Sequence, residues 1–166
     1  HSVSGKHSVS GKHSVLGKHS VFGKHCIEQL HESRLCGMGG AGFPTGRKWE
    51  LVASEAARPK YVICNADESE PGTFKDRQLL CDLPHLVVEG MCLAAYSVGA
   101  RNGWIFIRHE YGPERQVLEA AIERAYALGA LGENIFGSDM SFDVDIFVSP
   151  GGYILGEETA LLECME

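Results

Sequence analysis

Two periods of apolar residues succeed one another along this chain. Residues 26–34 place Ile27 and Leu30, with Leu35 just beyond, on one face at helical spacing. A glycine-rich stretch follows at 37–46, and residues 48–57 read as a second helix ended by Pro59. The run Tyr61-Val62-Ile63-Cys64 is a short buried strand. Residues 65–73 are polar, punctuated by Pro71-Gly72, with Thr73 placed to cap a turn that begins at Phe74. Pro84 opens a helix to Val98, stopped by Gly99; it is apolar nearly all round and therefore expected to be buried. Residues 104–108 are a second strand. Residues 113–128 form an amphipathic helix with Val117, Ala121, Ile122, Ala125 and Tyr126 in register, closed by Gly129. In residues 142–148, Phe142, Val144, Ile146 and Val148 alternate with polar positions as in a third strand, before a turn at Pro150-Gly151-Gly152 and a helix at 157–165. Strand and helix in strict alternation predict an α/β fold, a mostly parallel sheet with helices packed on it.

Residues 1–24 break this pattern. They are four copies of a hexapeptide, HSVSGK twice, then HSVLGK and HSVFGK, and the histidine spacing continues at His25 and His31. A period of six fits neither helix nor strand, and Ser, Gly and Lys leave little apolar surface to offset ordering entropy. The expectation is a low-complexity, disordered tail over 1–25, with a loose metal-chelating tail as the alternative, and a folded domain over 26–166. Charge supports the boundary. Residues 1–25 hold four Lys and no acid, whereas the whole chain carries −7.

The chain has 166 residues, 44% hydrophobic and 22% charged, enough for one ordinary globular domain. The acidic balance argues against a mainly nucleic-acid-binding role. No apolar run reaches the 18 or so residues of a membrane span, and no secretory signal pattern is present. Cys26, Cys36, Cys64, Cys81, Cys92 and Cys164 include no C-x-x-C pair, so they read as scattered thiols in a reducing cytoplasm rather than as metal ligands. Position 1 is His, which suggests a fragment or a processed product.

Gly37-Met38-Gly39-Gly40-Ala41-Gly42 satisfies G-x-G-x-x-G, but the segment before it reads as a helix, whereas the dinucleotide fingerprint needs a strand there. The phosphate loop of nucleoside triphosphatases fails too, because Trp49 rather than Ser or Thr follows Lys48. Five glycines in residues 37–46 would still let backbone N–H groups approach a ligand closely, with Lys48 as a nearby cation. A purely structural loop is the alternative. Asp67, Glu68 and Glu70 likewise read, on their own, as a solvated acidic turn.

Taken whole, CGMGGAGFPTGRKW, KYVICNADESEPGTFKDR and GGYILGEETALLE, in this order, resemble the FMN-binding, NADH-oxidising flavoprotein subunit of respiratory complex I, a module shared with NAD-linked hydrogenases and formate dehydrogenases. The resemblance covers residues 27–166. It implies a Rossmann-like FMN-binding domain with an atypical glycine-rich loop. By resemblance, Gly37, Gly39, Gly40, Ala41 and Lys48 form one wall of the site. Asn65, Asp67 and Glu68 match residues contacting FMN, and Glu70 the carboxylate that contacts NADH. Phe43 matches an aromatic stacking with the nicotinamide nucleotide, and Gly156, Glu157 and Glu158 the third segment lining the same cavity.

The implied chemistry is hydride transfer from NADH to FMN, which asks the protein to hold two rings together rather than to move a proton, followed by electron exit to iron–sulfur clusters. No catalytic side chain and no metal ligand is expected in this stretch. The family continues well beyond the length seen here, with a further FMN-contacting segment and the cysteines of a [4Fe–4S] centre. The expected partners are NADH and the iron–sulfur subunits of complex I or a related enzyme, with no nucleic acid and no direct membrane insertion. The expected location is cytoplasmic, peripheral to the membrane through those subunits. The alternative is a truncated, inactive nucleotide-binding relic. Three departures stand out: Cys36 where the family usually has Arg, Arg34 where Gly is common, and Leu155 where many members have Cys.

Overall fold

The computed structural model describes residues 16–151 and 158–165, apart from the side chains of residues 16–21 and 158. The elements run α1 (Leu16–Ser33), α2 (Thr45–Ser54), β1 (Tyr61–Ala66), α3 (Lys75–Asp82), α4 (Pro84–Val98), β2 (Asn102–Arg108), α5 (Gly112–Ala127), a 3₁₀ turn (Ile135–Gly137), β3 (Asp143–Ser149) and α6 (Glu158–Met165).

The three strands form one wholly parallel sheet in the order β1-β2-β3, with Ile63 opposite Trp104 and Trp104 opposite Asp145. Alternation along each strand divides the core between the two faces. Cys64, Ile105, Ile107, Val144 and Ile146 belong to the larger cluster, with Val88, Met91, Ala95 and Val98 of α4 and Leu118 and Ile122 of α5. Phe106, Ile63 and Phe147 form a smaller cluster with Leu161, Cys164 and Met165 of α6, the Phe106 and Phe147 rings stacking at 5.3 Å.

Helix α4 is central, touching α1, α2, α3, α5, β1 and β2. Pro84 sits in its first turn and Gly99 closes it at φ 78°, a left-handed cap that glycine adopts without strain. The expectation that it is buried all round needs correction. Its inner face is buried, but Leu86 and Leu93 are exposed on the other side, because only one face meets the sheet. Helix α3 stands where the pattern predicts only a turn after Thr73; its apolar residues are too few for a clear period, and tertiary contacts with α5 and α4 hold it.

The amino-terminal side differs more. Residues 1–15 of the repeat lie outside the described residues, but from Leu16 the chain is helical, and α1 runs straight through the expected boundary near residue 25. Packing supplies what composition lacks. The Phe22 ring meets Tyr96 of α4 edge-on at 5.4 Å, and Gly23 is buried so closely against α4 that an added Cβ would lie 3.3 Å from Ser97 Cα. Among the described residues, no single helix is long and apolar enough to cross a membrane.

Candidate functional site

In a parallel sheet all strands end on the same side, and there the residues after β1, β2 and β3 gather. Asn65 and Ala66 end β1, and the chain turns away through Asp67, Glu68, Ser69 and Glu70. The Asn65 Oδ1 accepts the Asp67 N–H at 3.1 Å, and Asp67 Oδ1 accepts the Ser69 hydroxyl at 2.9 Å, so the turn is braced by its own side chains. Ser149, fully buried at the end of β3, donates its hydroxyl to Asp67 Oδ2 at 3.4 Å and accepts the Gly151 N–H at 3.0 Å. One hydroxyl thus ties the turn after β1 to the exit from β3, across the end of β2.

Glu68 points inward. Its side chain is only 2% exposed. The carboxylate accepts the Asp76 N–H at 2.8 Å and, more weakly, the Arg77 N–H at 3.4 Å, both in the open first turn of α3. It also accepts the Tyr111 hydroxyl at 2.9 Å, with the Lys75 ammonium 3.8 Å away. Burial alone would raise its pKa, but these donors outweigh that and hold the carboxyl below its ordinary value. Burial, and then the hydrogen bond to Glu68, push the Tyr111 phenol up to about 12. Arg108, at the end of β2, donates to the backbone oxygen of Glu68, pairs with Glu110 at 2.8 Å, and lies over the Tyr111 ring at 5.5 Å. The Arg108 hydrogen bond lowers the exposed Glu110 carboxyl to about 2.

The glycine-rich segment joins α1 to α2, so a helix precedes it, as the pattern predicts. Its neck is closed by Gly37 N–H to Phe43 O and Thr45 N–H to Leu35 O, both at 2.9 Å, leaving Met38 to Gly42 as an exposed tip. Gly40 and Gly42 have φ of 112° and 61°, values that a residue with a side chain adopts only under strain. An added Cβ at Gly39, Gly40 or Gly42 would meet nothing within 4 Å. These glycines are therefore not required by packing inside the domain; their bare faces open outward. Gly46 differs, since a Cβ there would lie 2.9 Å from the His31 backbone nitrogen; it lets α1 and α2 touch.

Of the residues singled out by sequence, Gly37, Gly39, Gly40, Ala41, Phe43, Lys48, Asn65 and Glu70 are exposed, Asp67 is half-buried and Glu68 is buried. Gly156 and Glu157 lie outside the described residues, and Glu158 is described only as the first residue of α6. Sequence reasoning missed Ser149, Arg108 and Tyr111. Their signal was positional, since Ser149 and Arg108 are the last residues of parallel strands, where ligand crevices form.

Residues 30–166 match the family model described as the Nuo51 FMN-binding domain. The chain belongs to this family. It is 49% identical over 140 residues to an NADH-quinone oxidoreductase subunit of Rhizobium meliloti (strain 1021), and 50% identical over 142 residues to the corresponding NADH-quinone oxidoreductase subunit of Aquifex aeolicus (strain VF5). Each match covers 84% of this chain and 33% of the relative, so the chain spans about a third of the length of these relatives. Among solved structures, the air-oxidised NAD+-reducing [NiFe]-hydrogenase is similar at TM-score 0.76 and 38% identity, over 87% of this chain and 24% of that one. Among the described residues of this Nuo51-family domain, no group of three His, Cys, Asp or Glu side chains could hold a metal ion.

Proposed function

We propose that the strand ends and the loop before α2 are two walls of one site for FMN and NADH. In this reading the domain takes reducing equivalents from NADH and passes them toward iron–sulfur clusters in a larger cytoplasmic assembly. Such an assembly has the character of complex I, an NAD-linked hydrogenase or a formate dehydrogenase. The observation that carries the reading is the Ser149–Asp67 link: it gathers two strand ends over the third while Asn65 and Glu70 stay exposed beside it. Helix α2 ends next to the start of β1, where Lys60 donates to Ala53 O at 2.9 Å. Its other end, about 15 Å away at 1.5 Å per residue, adjoins the glycine tip, which in this reading faces the strand ends.

The residues fit a flavin mononucleotide. Bare glycine faces with positive φ suit close backbone approach to a phosphate, and Lys48 adds a compatible charge. Asn65 and Asp67 offer polar groups of the kind that bond ribityl hydroxyls, with Gly156, Glu157 and Glu158 as the proposed third segment. Bound FMN would supply an acceptor that takes two electrons together and releases them singly. The chain's own part is to orient and to exclude water. Phe43, half-exposed at the neck of the loop, offers a flat apolar face to a nicotinamide nucleotide, and Glu70 offers a carboxylate to ribose hydroxyls or amide N–H groups.

Glu70→Gln in the full-length flavoprotein tests this. Losing one hydrogen bond to a charged group, about 1–2 kcal/mol, should raise KM for NADH by roughly 3- to 30-fold. FMN content should stay unchanged. Unchanged NADH kinetics with lost flavin would overturn the assignment.

A further inference from the structure

The resemblance matches Glu68 to a residue contacting FMN, yet its carboxylate faces the protein. The geometry points to Glu68 as a positioning residue, which with Tyr111 and Arg108 fixes the Asn65–Glu70 turn and so sets where Asp67 and Glu70 stand, without itself touching the flavin; this rests on the proposed FMN and NADH site.

Both oxygens of the carboxylate already accept a short hydrogen bond from the protein. One oxygen takes the Asp76 N–H and faces Lys75; the other takes the Tyr111 hydroxyl and the Arg77 N–H. The Arg108 guanidinium holds the backbone oxygen of the same residue. The turn is thus gripped at three places: the start of α3, the end of β2 and the residue before α5. That grip extends further, since Arg77 donates through Nε to the buried Glu114 of α5 at 2.7 Å. A residue held from both directions transmits small displacements to its neighbours, and Asp67 and Glu70 lie one and two positions away. Tyr111 makes the proposal testable, because it is buried in the main apolar cluster rather than exposed beside the candidate ligand residues.

Three variants of the full-length flavoprotein carry the test. Tyr111→Phe removes one donor and keeps the shape. Glu68→Gln keeps the size and replaces one accepting oxygen by a donor. Asp67→Asn is the control for the site itself. Each is assayed for FMN stoichiometry, the visible spectrum of bound flavin, and KM and kcat for NADH with ferricyanide as acceptor. The expected result is that Tyr111→Phe and Glu68→Gln both raise KM for NADH by about 3- to 10-fold. Flavin stoichiometry and absorbance bands should remain at wild-type values. A simple loss of fold would instead lower flavin content in proportion to soluble protein. Loss of flavin or a shifted spectrum in Glu68→Gln, with Tyr111→Phe like wild type, would mean that the carboxylate meets the flavin directly and would overturn the proposal. Wild-type kinetics in both variants would overturn it as well. If Asp67→Asn leaves flavin binding untouched, the FMN reading of this turn fails, whatever the other two variants do.

Discussion

At the scale of single residues, the acidic turn holds carboxylates with different tasks. Glu70 faces water, whereas Glu68 is enclosed by donors from α3, Tyr111 and Lys75. Because the folded state lowers the Glu68 pKa, its ionised form contributes stability above the ordinary carboxylate value of 4.5, and the contribution is lost as pH falls through the lower folded value. Thermal melting of wild type and Glu68→Gln from pH 7 to pH 3 checks this: the gap in Tm should be widest near neutrality and narrow on acidification. A gap constant over that range would contradict the donor arrangement. The Tyr111 phenol, raised to about 12, stays protonated throughout and adds no slope.

At the scale of elements, the contact between α1 and α2 governs the glycine loop between them. Gly46→Ala would set a methyl 2.9 Å from the His31 backbone nitrogen and 3.0 Å from its ring, and backbone cannot move aside as a flexible side chain can. Overpacking of this kind costs about 1–3 kcal/mol. A urea titration should show a lower midpoint with an unchanged slope, and flavin affinity should drop because the loop's neck opens. Gly40→Ala makes an informative contrast, meeting no neighbour but carrying backbone strain at φ 112°. The strands, α4, α5 and α6 were legible in the sequence, because each has its own period or its own Pro and Gly stops. The three glycine-loop and turn motifs were legible as candidate chemistry. What was not legible depends on partners distant in the chain. Nothing near Glu68 announces that Asp76 and Tyr111 will surround it. The alternation around β3 does not mark Ser149 as a link to Asp67.

At the scale of the whole molecule, the repeat is the clearest departure from a reading based on composition. Copies rich in Ser, Gly and Lys have no packing face of their own, yet in the last copy Phe22 and Gly23 find one on α4. Removing residues 1–24 is therefore expected to lower the melting temperature. Phe22 is 54% exposed, so its aromatic contact is worth at most about 0.5–1.5 kcal/mol. For a chain of this size that corresponds to a few degrees. Phe22→Ala should reproduce a good part of the loss, and an unchanged melting temperature in both variants would return the segment to the status of a dispensable tail.

The sheet's register also governs how fast the domain can assemble. Tyr61 pairs with Asn102, and Asn102 pairs with Asp143, so each partner lies 41 positions further along the chain (61 to 102, 102 to 143). Neither pairing can nucleate as a hairpin; each must close a long loop before any ladder bond forms. Refolding should therefore run on the slow side of the range for mixed α/β domains, with the helices acquiring signal before β2 is protected from hydrogen exchange. The Asp67–Ser149 bond spans both closures, 82 positions in sequence, and so is among the last contacts that can form. During refolding, the strand-end crevice is complete only after the sheet is.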